Sequence, residues 1–551
     1  MIPSRDRGAP APLRAPRDEA PEEPARRARV LDALVVCLPG ALAGSLALVD
    51  LGARSIWIDE AASVTIASEH GAALGAAMAR DGGNMLVYYA LLHVLVGAFG
   101  RGVLVLRAPS AVATAATVAL VSALANRLYG RRVALGAGVL GAVSLPLVYW
   151  GQQARAYALL VALVSGSYLA FVVVLDRAPG ATIPRAALVA YVVTSTLALY
   201  MSFVAALALA AQLVVVASRR ERVRAVVGSL VVVAVLSVPL LVLARARGSG
   251  QLFWVPRPSA SQLGSIVATL TSAAFTPNFP RTATSSLLEW GSVALLALLV
   301  VAPVLSRGAS RRGGRLPPET GPARVTLRRR VLLSWVLVPV VLAVLESVVG
   351  QPIADPRNLL VSIPPVAVAL AAVALGGEIR GGTSRRSVTV GWLVVAALVG
   401  LRALQLEPSY GVSPENWRAA VRFVLAGSRP GDCVAFYPED GRMAFSYYLP
   451  GPSARAAVPR AVLPAVPWSD GAPFVERYET LTSAQVASVA SGCARLYLVA
   501  SHEGQVGGPP VSVAHLLRYE SLESELAARY ARRAVYRFGY AAVVTVTLYS
   551  R

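Results

Sequence analysis

Met85-Leu86-Val87-Tyr88-Tyr89-Ala90-Leu91-Leu92-His93, the opening of an apolar segment over residues 85–99, decides how this chain threads a membrane. As a helix the segment is about 22 Å long, against roughly 30 Å of bilayer hydrocarbon. Were it a full span, every later loop would change sides. Its Tyr88, Tyr89 and His93 suit an interfacial position, so it is expected to lie in or dip into the outer leaflet.

Outward from that segment the chain alternates apolar runs with short polar breaks. Runs suited to helical spans fall near 30–50, 103–125, 133–150, 154–175, 185–201, 203–217, 222–244, 286–306, 331–349, 359–376 and 388–405. A chain that is 56% hydrophobic and 15% charged lacks the charge to cover a soluble surface over 551 residues. The expected class is a polytopic α-helical membrane protein of about 11 spans, followed by a C-terminal α/β domain.

The net charge of +22 rests on arginine alone, with no lysine in the chain. These arginines gather between spans: Arg131-Arg132, Arg177 with Arg185, Arg219-Arg220 with Arg222, the run Arg307–Arg330, and Arg380 with Arg385-Arg386. With eleven spans, and residues 85–99 outside the count, every block faces the cytoplasm and the C-terminal region faces away from it. The blocks read as topology signals, which excludes a nucleic-acid footprint. Residues 1–29 are expected to be disordered and cytoplasmic, ending in Arg26-Arg27-Ala28-Arg29 before an uncleaved first anchor. The expected location is a bacterial plasma membrane.

Two external loops interrupt the 30–405 membrane domain. Residues 51–102 carry Trp57-Ile58-Asp59-Glu60-Ala61-Ala62-Ser63 and Asp81. Adjacent carboxylates beside a membrane are costly to solvate, which points to chemistry at Asp59 and Glu60. Residues 245–285 carry Trp254, Pro256, Pro258, Phe275, Pro277 and Phe279, a composition that fits an interfacial lid and an aromatic belt equally.

Residues 406–551 change character. Pro414–Leu425 reads as an amphipathic helix capped by Ser413. Asp432–Tyr437 and Arg495–Ala500 read as strands, His515–Arg533 as a helix, and Val535–Tyr549 as a hairpin or long strand. Cys433 and Cys493 begin two of the strands, and spacing alone leaves their pairing open. Cys37 reads as a small core residue of the first span. The scattered histidines have no metal-ligand spacing.

Three polar constellations share the outer face: Asp59-Glu60 with Asp81, Gly151-Gln152-Gln153-Ala154-Arg155-Ala156-Tyr157, and Asp355-Pro356-Arg357-Asn358-Leu359-Leu360. A carboxylate facing two arginines suits an anionic substrate whose partner must lose a proton, because guanidinium forks bind phosphate and carboxylates act as bases.

At these residues the sequence resembles the GT-C glycosyltransferases, and within them the bacterial family 39 group related to protein O-mannosyltransferases and aminoarabinose transferases. The resemblance covers most of 30–405. It rests on a W-x-DEA-x-S stretch at Trp57–Ser63, a D-x-x-PLYYLLLH-like segment at Asp81–His93, a QEAR-x-Y-like stretch at Gln152–Tyr157 and an RYLL-x-x-x-P-like stretch at Arg357–Pro364. The Asn416–Val424 stretch NWRAAVRFV is similar to the soluble tail of actinobacterial members.

The resemblance implies transfer of a sugar, a hexose such as mannose, from a polyprenyl-phosphate donor to an extracytoplasmic acceptor, which is a protein, lipid or polysaccharide. It implies Asp59 as general base with inversion at the anomeric carbon, and Glu60 orienting the acceptor or Asp59. Arg155 and Arg357 would hold the donor phosphate, while Asp81, Asn84, Tyr88, Gln153 and Tyr157 would line the substrate site. It implies neither a nucleotide sugar nor a required metal, and it leaves a divalent metal at the carboxylates open. Three positions depart from the pattern: Gly83-Asn84-Met85 replaces His-Pro-Pro, Gln153 stands for Glu, and Asn358 for Tyr. Two other readings remain, a lipid-linked-sugar transporter or flippase and a non-catalytic subunit that binds a sugar lipid. The scarcity of charge at span centres favours interfacial catalysis over transport.

Overall fold

The computed structural model describes residues 22–177, 180–217, 219–247, 255–275, 278–307, 322–376, 385–451, 458–468, 480–506 and 509–551. Trp254, Pro277, Arg380, most of the Arg307–Arg330 run and residues 1–21 of the expected disordered arm lie outside the described residues.

The chain opens with α1 (Glu22–Leu48), which starts inside the arm expected to be disordered, so residues 22–29 are helical. Three short helices follow: α2 (Ile58–Ala67), α3 (Gly71–Arg80) and α4 (Leu86–Phe99). The bundle then continues through α5 (Val103–Tyr129), α6 (Arg131–Ala142), α7 (Leu145–Gly151), α8 (Tyr157–Leu175), α9 (Arg185–Met201), α10 (Ala205–Val216), α11 (Val223–Leu236), α12 (Val238–Arg247), α13 (Ala260–Thr271), α14 (Ala283–Arg307), α15 (Pro322–Val349), α16 (Ile363–Leu375) and α17 (Arg385–Leu406).

Among the described residues, six helices are long and apolar enough to cross a membrane: α1, α5, α8, α15, α17, and α16 joined to the 3-10 turn Pro356–Ser362. Two more candidates are bent pairs, α6–α7 at 57° and α11–α12 at 48°. Both breaks have a proline just past the bend, Pro146 and Pro239, where the missing N–H interrupts the helical ladder. The remaining runs read from the sequence form shorter apolar helices α9, α10 and α14. The chain is a multi-pass membrane protein.

Small residues let the helices close. A Cβ on Gly138 of α6 would meet Pro39 and the Ser122 hydroxyl, and one on Gly151 would strike the Thr114 hydroxyl and touch Ala47. Where lipid supplies no hydrophobic drive between helices, such close approach supplies the packing. Gly151 ends α7 against α1 and α5, and so fixes where the following polar turn emerges.

Arginine-bearing loops gather at one end of the bundle. Arg131 pairs with Asp32 at 2.7 Å, Arg127 with Asp176 at 3.3 Å, and Arg328 lies over the Tyr129 ring. Arg222 donates to the carbonyls of Ala181 and Arg177. The opposite ends of α5 and α8 carry Arg107 and Tyr157. There Phe275 and Phe279 are buried against Tyr149 of α7, ring centroids 5.2 and 6.1 Å apart. Those two rings pack inside the protein. Deep in the same region Arg402 of α17 donates to the carbonyls of Leu140 and Thr271, groups left open where α6 and α13 end.

Residues 417–551 build a five-stranded sheet with helices. The elements are α18 (Trp417–Gly427), β1 (Cys433–Tyr437), α19 (Gly441–Tyr447), β2 (Arg460–Leu463), α20 (Ser483–Ser491), β3 (Arg495–Ala500), α21 (Pro510–Ala527), β4 (Arg532–Phe538) and β5 (Val544–Ser550). Strand order is β2-β1-β3-β5-β4, parallel on the β2-β1-β3 side and antiparallel through β5 and β4. Side chains alternate between two cores, as a pleated strand requires. Cys433, Ala435 and Tyr437 face α20 and α21, while Val434 and Phe436 join the continuous core that runs into the membrane domain. Cys433 and Cys493 form a disulfide, Cα atoms 5.8 Å apart, which ties the start of β1 to the turn before β3.

The helix expected over Pro414–Leu425 begins three residues later. Asn416 caps it by accepting from Ala419 N at 3.1 Å, and Ser413 is not its cap because its hydroxyl accepts from Ser55 N at 2.8 Å instead. Trp417, Ala420, Val421 and Val424 recur at helical spacing and are all buried. The helix expected over His515–Arg533 spans Pro510–Ala527, and its last residues enter β4.

Candidate functional site

Three segments distant in sequence converge at the end of the bundle opposite the arginine loops. The first turn of α2 supplies Asp59, the turn between α7 and α8 supplies Arg155, and the 3-10 turn before α16 supplies Arg357. Asp59 Oδ2 lies 3.7 Å from Arg155 Nη2 and 3.5 Å from Arg357 Nη1. These separations exceed the roughly 2.7–2.9 Å of a closed charge-assisted bond. The Asp59 side chain keeps 32% of its surface exposed, so the carboxylate is flanked by two cations yet reachable.

Each arginine is fixed by its own surroundings. Arg155 Nη1 donates to the Asp59 carbonyl and the Ser63 hydroxyl, both at 3.1 Å. Asp355 caps the 3-10 turn by accepting from Arg357 N at 3.0 Å, and its carboxylate is 3.7 Å from Arg357 Nε. Ser347 accepts from Ile353 N and Ala354 N, and Gln262 donates to the Ala354 carbonyl, so the approach to Arg357 is tied on both sides. Burial works against the charge on the Arg155 guanidinium, but neighbouring groups, Asp59 first among them, outweigh it and its pKa moves up. Burial pushes the Asp355 carboxyl up, against the pull of Arg357.

Glu60 points elsewhere. It is fully buried and forms a two-point ion pair with Arg107, Nε–Oε1 2.8 Å and Nη2–Oε2 2.6 Å. Its Oε1 also accepts from Ala154 N at 2.6 Å. That contact anchors the turn carrying Arg155 to the helix carrying Asp59. Arg107 completes its fork on the carbonyls of Leu51, Arg54 and Ser55.

The other expected site residues lie in the same walls. Asp81, at the end of α3, accepts from Tyr89 Oη at 3.0 Å. The turn after it, Gly82-Gly83-Asn84-Met85, takes positive φ at both glycines and at Met85, and packs Gly83 against Leu240 and Leu243. Tyr88 and Tyr157 are buried, and by ring centroids Trp150 lies 4.4 Å from Tyr157 and 6.3 Å from Trp57. Asn84 Oδ1, Gln153 Oε1 and the indole nitrogens of Trp57 and Trp150 are buried without a hydrogen-bond partner. Such atoms are rare in folded proteins. Asn358 turns back to donate to the Ile353 carbonyl. No cluster of three metal-ligating side chains occurs among the described residues.

Arg107 was not among the expected site residues, although a lone arginine in the first turn of an apolar span was a signal for it. Trp150 and the C-terminal residues that grip the α2 approach carried no comparable local mark.

No family model and no curated protein matches the sequence. Similarity appears among solved structures. ArnT from Cupriavidus metallidurans in the apo state aligns over 95% of this chain and 98% of that one, at 14% identity and a TM-score of 0.50. The same protein bound to undecaprenyl phosphate aligns over 93% and 97%, at 15% identity and 0.48. The Archaeoglobus fulgidus oligosaccharyltransferase in the apo form aligns over 86% of this chain and 70% of that one, at 13% identity and 0.50. The chain thus shares the fold of the two apo structures, here a helical membrane domain followed by a C-terminal sheet domain.

Proposed function

We propose that the chain is a membrane glycosyltransferase that moves a sugar from a polyprenyl-phosphate carrier to an acceptor hydroxyl outside the cytoplasm. The observation that carries this reading is the part-exposed Asp59 carboxylate held between Arg155 and Arg357. In this mechanism the two arginines bind the donor phosphate. Asp59 takes the proton from the acceptor hydroxyl as its oxygen attacks the anomeric carbon from the face opposite the phosphate. The bond from that carbon to the phosphate oxygen breaks, its electron pair leaves on the polyprenyl phosphate, and configuration inverts. Charge that builds on the leaving phosphate falls between two fixed guanidiniums, where each contact is worth several kcal/mol, on the order of 3. Glu60 orients this pair by anchoring both Arg107 and the turn of Arg155.

The finer assignments, a family-39-type enzyme of actinobacterial kind and a hexose such as mannose as the sugar, rest on the sequence motifs. Asp81, Asn84, Tyr88, Gln153 and Tyr157 line the substrate side in this reading. The gathered arginine loops support a cytoplasmic N-terminus, and the Cys433–Cys493 disulfide supports an oxidising compartment for the C-terminal domain.

The test is sugar transfer in membranes from labelled polyprenyl-phosphate sugars, comparing wild type with Asp59→Asn. Loss of transfer with donor binding retained supports Asp59 as base. Equal transfer by both removes it from the chemical step. Donor binding without transfer from any donor overturns the enzyme reading in favour of a transporter or a binding subunit.

A further inference from the structure

The approach to Asp59, residues 52–57, is neither helix nor strand, yet backbone groups from Gly52 to Ile58 are engaged in turn. Ser55 N donates to Ser413 Oγ at 2.8 Å, Ile56 N to Tyr448 Oη at 2.6 Å, and Ile58 N to Glu415 Oε2 at 3.4 Å. On the carbonyl side, Arg418 donates to Gly52 O at 2.9 Å, Ala53 O at 2.9 Å and Arg54 O at 3.2 Å. Arg418 N donates to Ser55 Oγ at 3.0 Å. Six backbone groups and one side chain of residues 52–58 thus answer to one short stretch, Ser413–Arg418, and to Tyr448 just past α19.

Glu415 has a particular place in this set. The helix α2 starts at Ile58 without a side-chain cap of its own, Trp57 occupying the cap position. A carboxylate at a helix N-terminus satisfies open N–H groups and favours the helix dipole. Glu415 brings one from 357 positions away, one residue before Asp59. Its other oxygen is occupied, accepting from Trp417 Nε1 at 2.5 Å and Ser501 Oγ at 2.9 Å. Glu415 is 2% exposed, and a buried carboxylate is retained only where its bonds repay desolvation.

We propose that Glu415 is a positioning residue for Asp59, and that the Ser413–Arg418 segment makes the C-terminal domain a structural part of the reaction centre. The proposal rests on the transferase reading above. In it, the C-terminal domain holds the base-bearing helix at the height of Arg155 and Arg357, and the acceptor site lies in the membrane domain.

Glu415→Gln isolates the contact: its carbonyl oxygen still accepts from Trp417 and Ser501, while its amide N–H₂ faces Ile58 N and cannot accept. The experiment compares full-length wild type, Glu415→Gln and the milder Tyr448→Phe in lipid nanodiscs. The first readout is hydrogen–deuterium exchange of peptides covering residues 52–67; the second is kcat and KM for transfer from a polyprenyl-phosphate sugar. The expected result is faster exchange in 55–60 for both variants. For Glu415→Gln, kcat falls about 10- to 100-fold with donor KM unchanged, the size of effect a small misplacement of a reacting group produces. Unchanged exchange and unchanged kcat in both variants overturn the proposal, and so does a loss carried wholly by donor KM. If wild type transfers from no donor, the transferase reading fails; exchange then decides the clamp alone, faster exchange sustaining it and unchanged exchange ending it.

Discussion

Glu60 and Arg107 are 47 positions apart and bonded through both carboxylate oxygens in the interior, with neither side chain reaching solvent. Through the second bond that Glu60 accepts, from Ala154 N, this pair couples the helix of Asp59 to the turn of Arg155. The visible acid pair at residues 59–60 is thus split in space, one carboxylate turned to the open site and its neighbour turned inward.

Removing one member of that pair leaves an unpaired buried charge. Arg107→Met is expected to destabilise the protein by about 3–5 kcal/mol, and Glu60→Gln,Arg107→Met to recover part of that loss. Thermal unfolding of the detergent-solubilised protein checks both, and a double variant no more stable than the Arg107 single variant would contradict it.

The two arginines at Asp59 differ in their supports, and their variants are expected to differ too. Arg357→Lys keeps the charge but loses the planar fork, and is expected to cut kcat/KM on the order of 10²-fold or more. Arg155→Lys should cost at least as much, because Arg155 also donates to the Asp59 carbonyl and Ser63. Steady-state transfer at varied donor concentration provides the comparison.

Burial pushes the Glu415 carboxyl above the ordinary glutamate range, against the pull of His502 and of its bonds from Trp417, Ser501 and Ile58. The folded state therefore binds a proton more tightly than the unfolded chain. The stability this contributes is full below the ordinary glutamate value of about 4.3 and is lost as pH rises through the raised value. Wild type is expected to lose melting temperature relative to Glu415→Gln as pH climbs from about 4 towards 7. Because His502 Nδ1 lies 3.7 Å from Glu415 Oε1, the comparison belongs in a His502→Gln background. A constant difference across pH would count against it.

The Cys433–Cys493 disulfide leaves Cys37 as the free thiol among the described residues. Mass tagging of the denatured protein with a maleimide polymer is expected to add one tag without reductant and three after reduction. Cys433→Ser is expected to destabilise the C-terminal domain by about 2–5 kcal/mol. Three tags without reductant would place the domain in a reducing compartment.

Much of this was legible because membrane chains carry strong signals. Each of the eleven apolar runs corresponds to a helix or a bent helix pair, and the breaks fall at Pro146 and Pro239. Asp59, Arg155 and Arg357 group together from the sequence, since alternating spans bring their three turns to one level. What stayed hidden depends on long-range partners. Ser413 has the makings of a helix cap, but Ser55 N competes for its hydroxyl and the helix starts at Trp417. Glu60 looked as available as Asp59 because sequence does not tell which face of α2 meets Arg107. The short β2 and α19 sit among prolines and turns, where periodicity is too brief to register.

The grip of residues 413–448 on residues 52–58 also sets an order on biogenesis. The strap leaves the ribosome early, among the first segments to be inserted, while the groups that hold it are made some 360 residues later. At a synthesis rate of about 5–20 residues per second, the early helices spend tens of seconds in the membrane before their Ser413, Glu415 and Arg418 partners exist. A nascent or truncated chain therefore lacks the hold on Asp59, and the site is finished only once the C-terminal domain has been made and folded. For the transferase proposed above, assembly of the chain would thereby work as its own timer, keeping an incomplete chain from acting on a lipid-linked sugar.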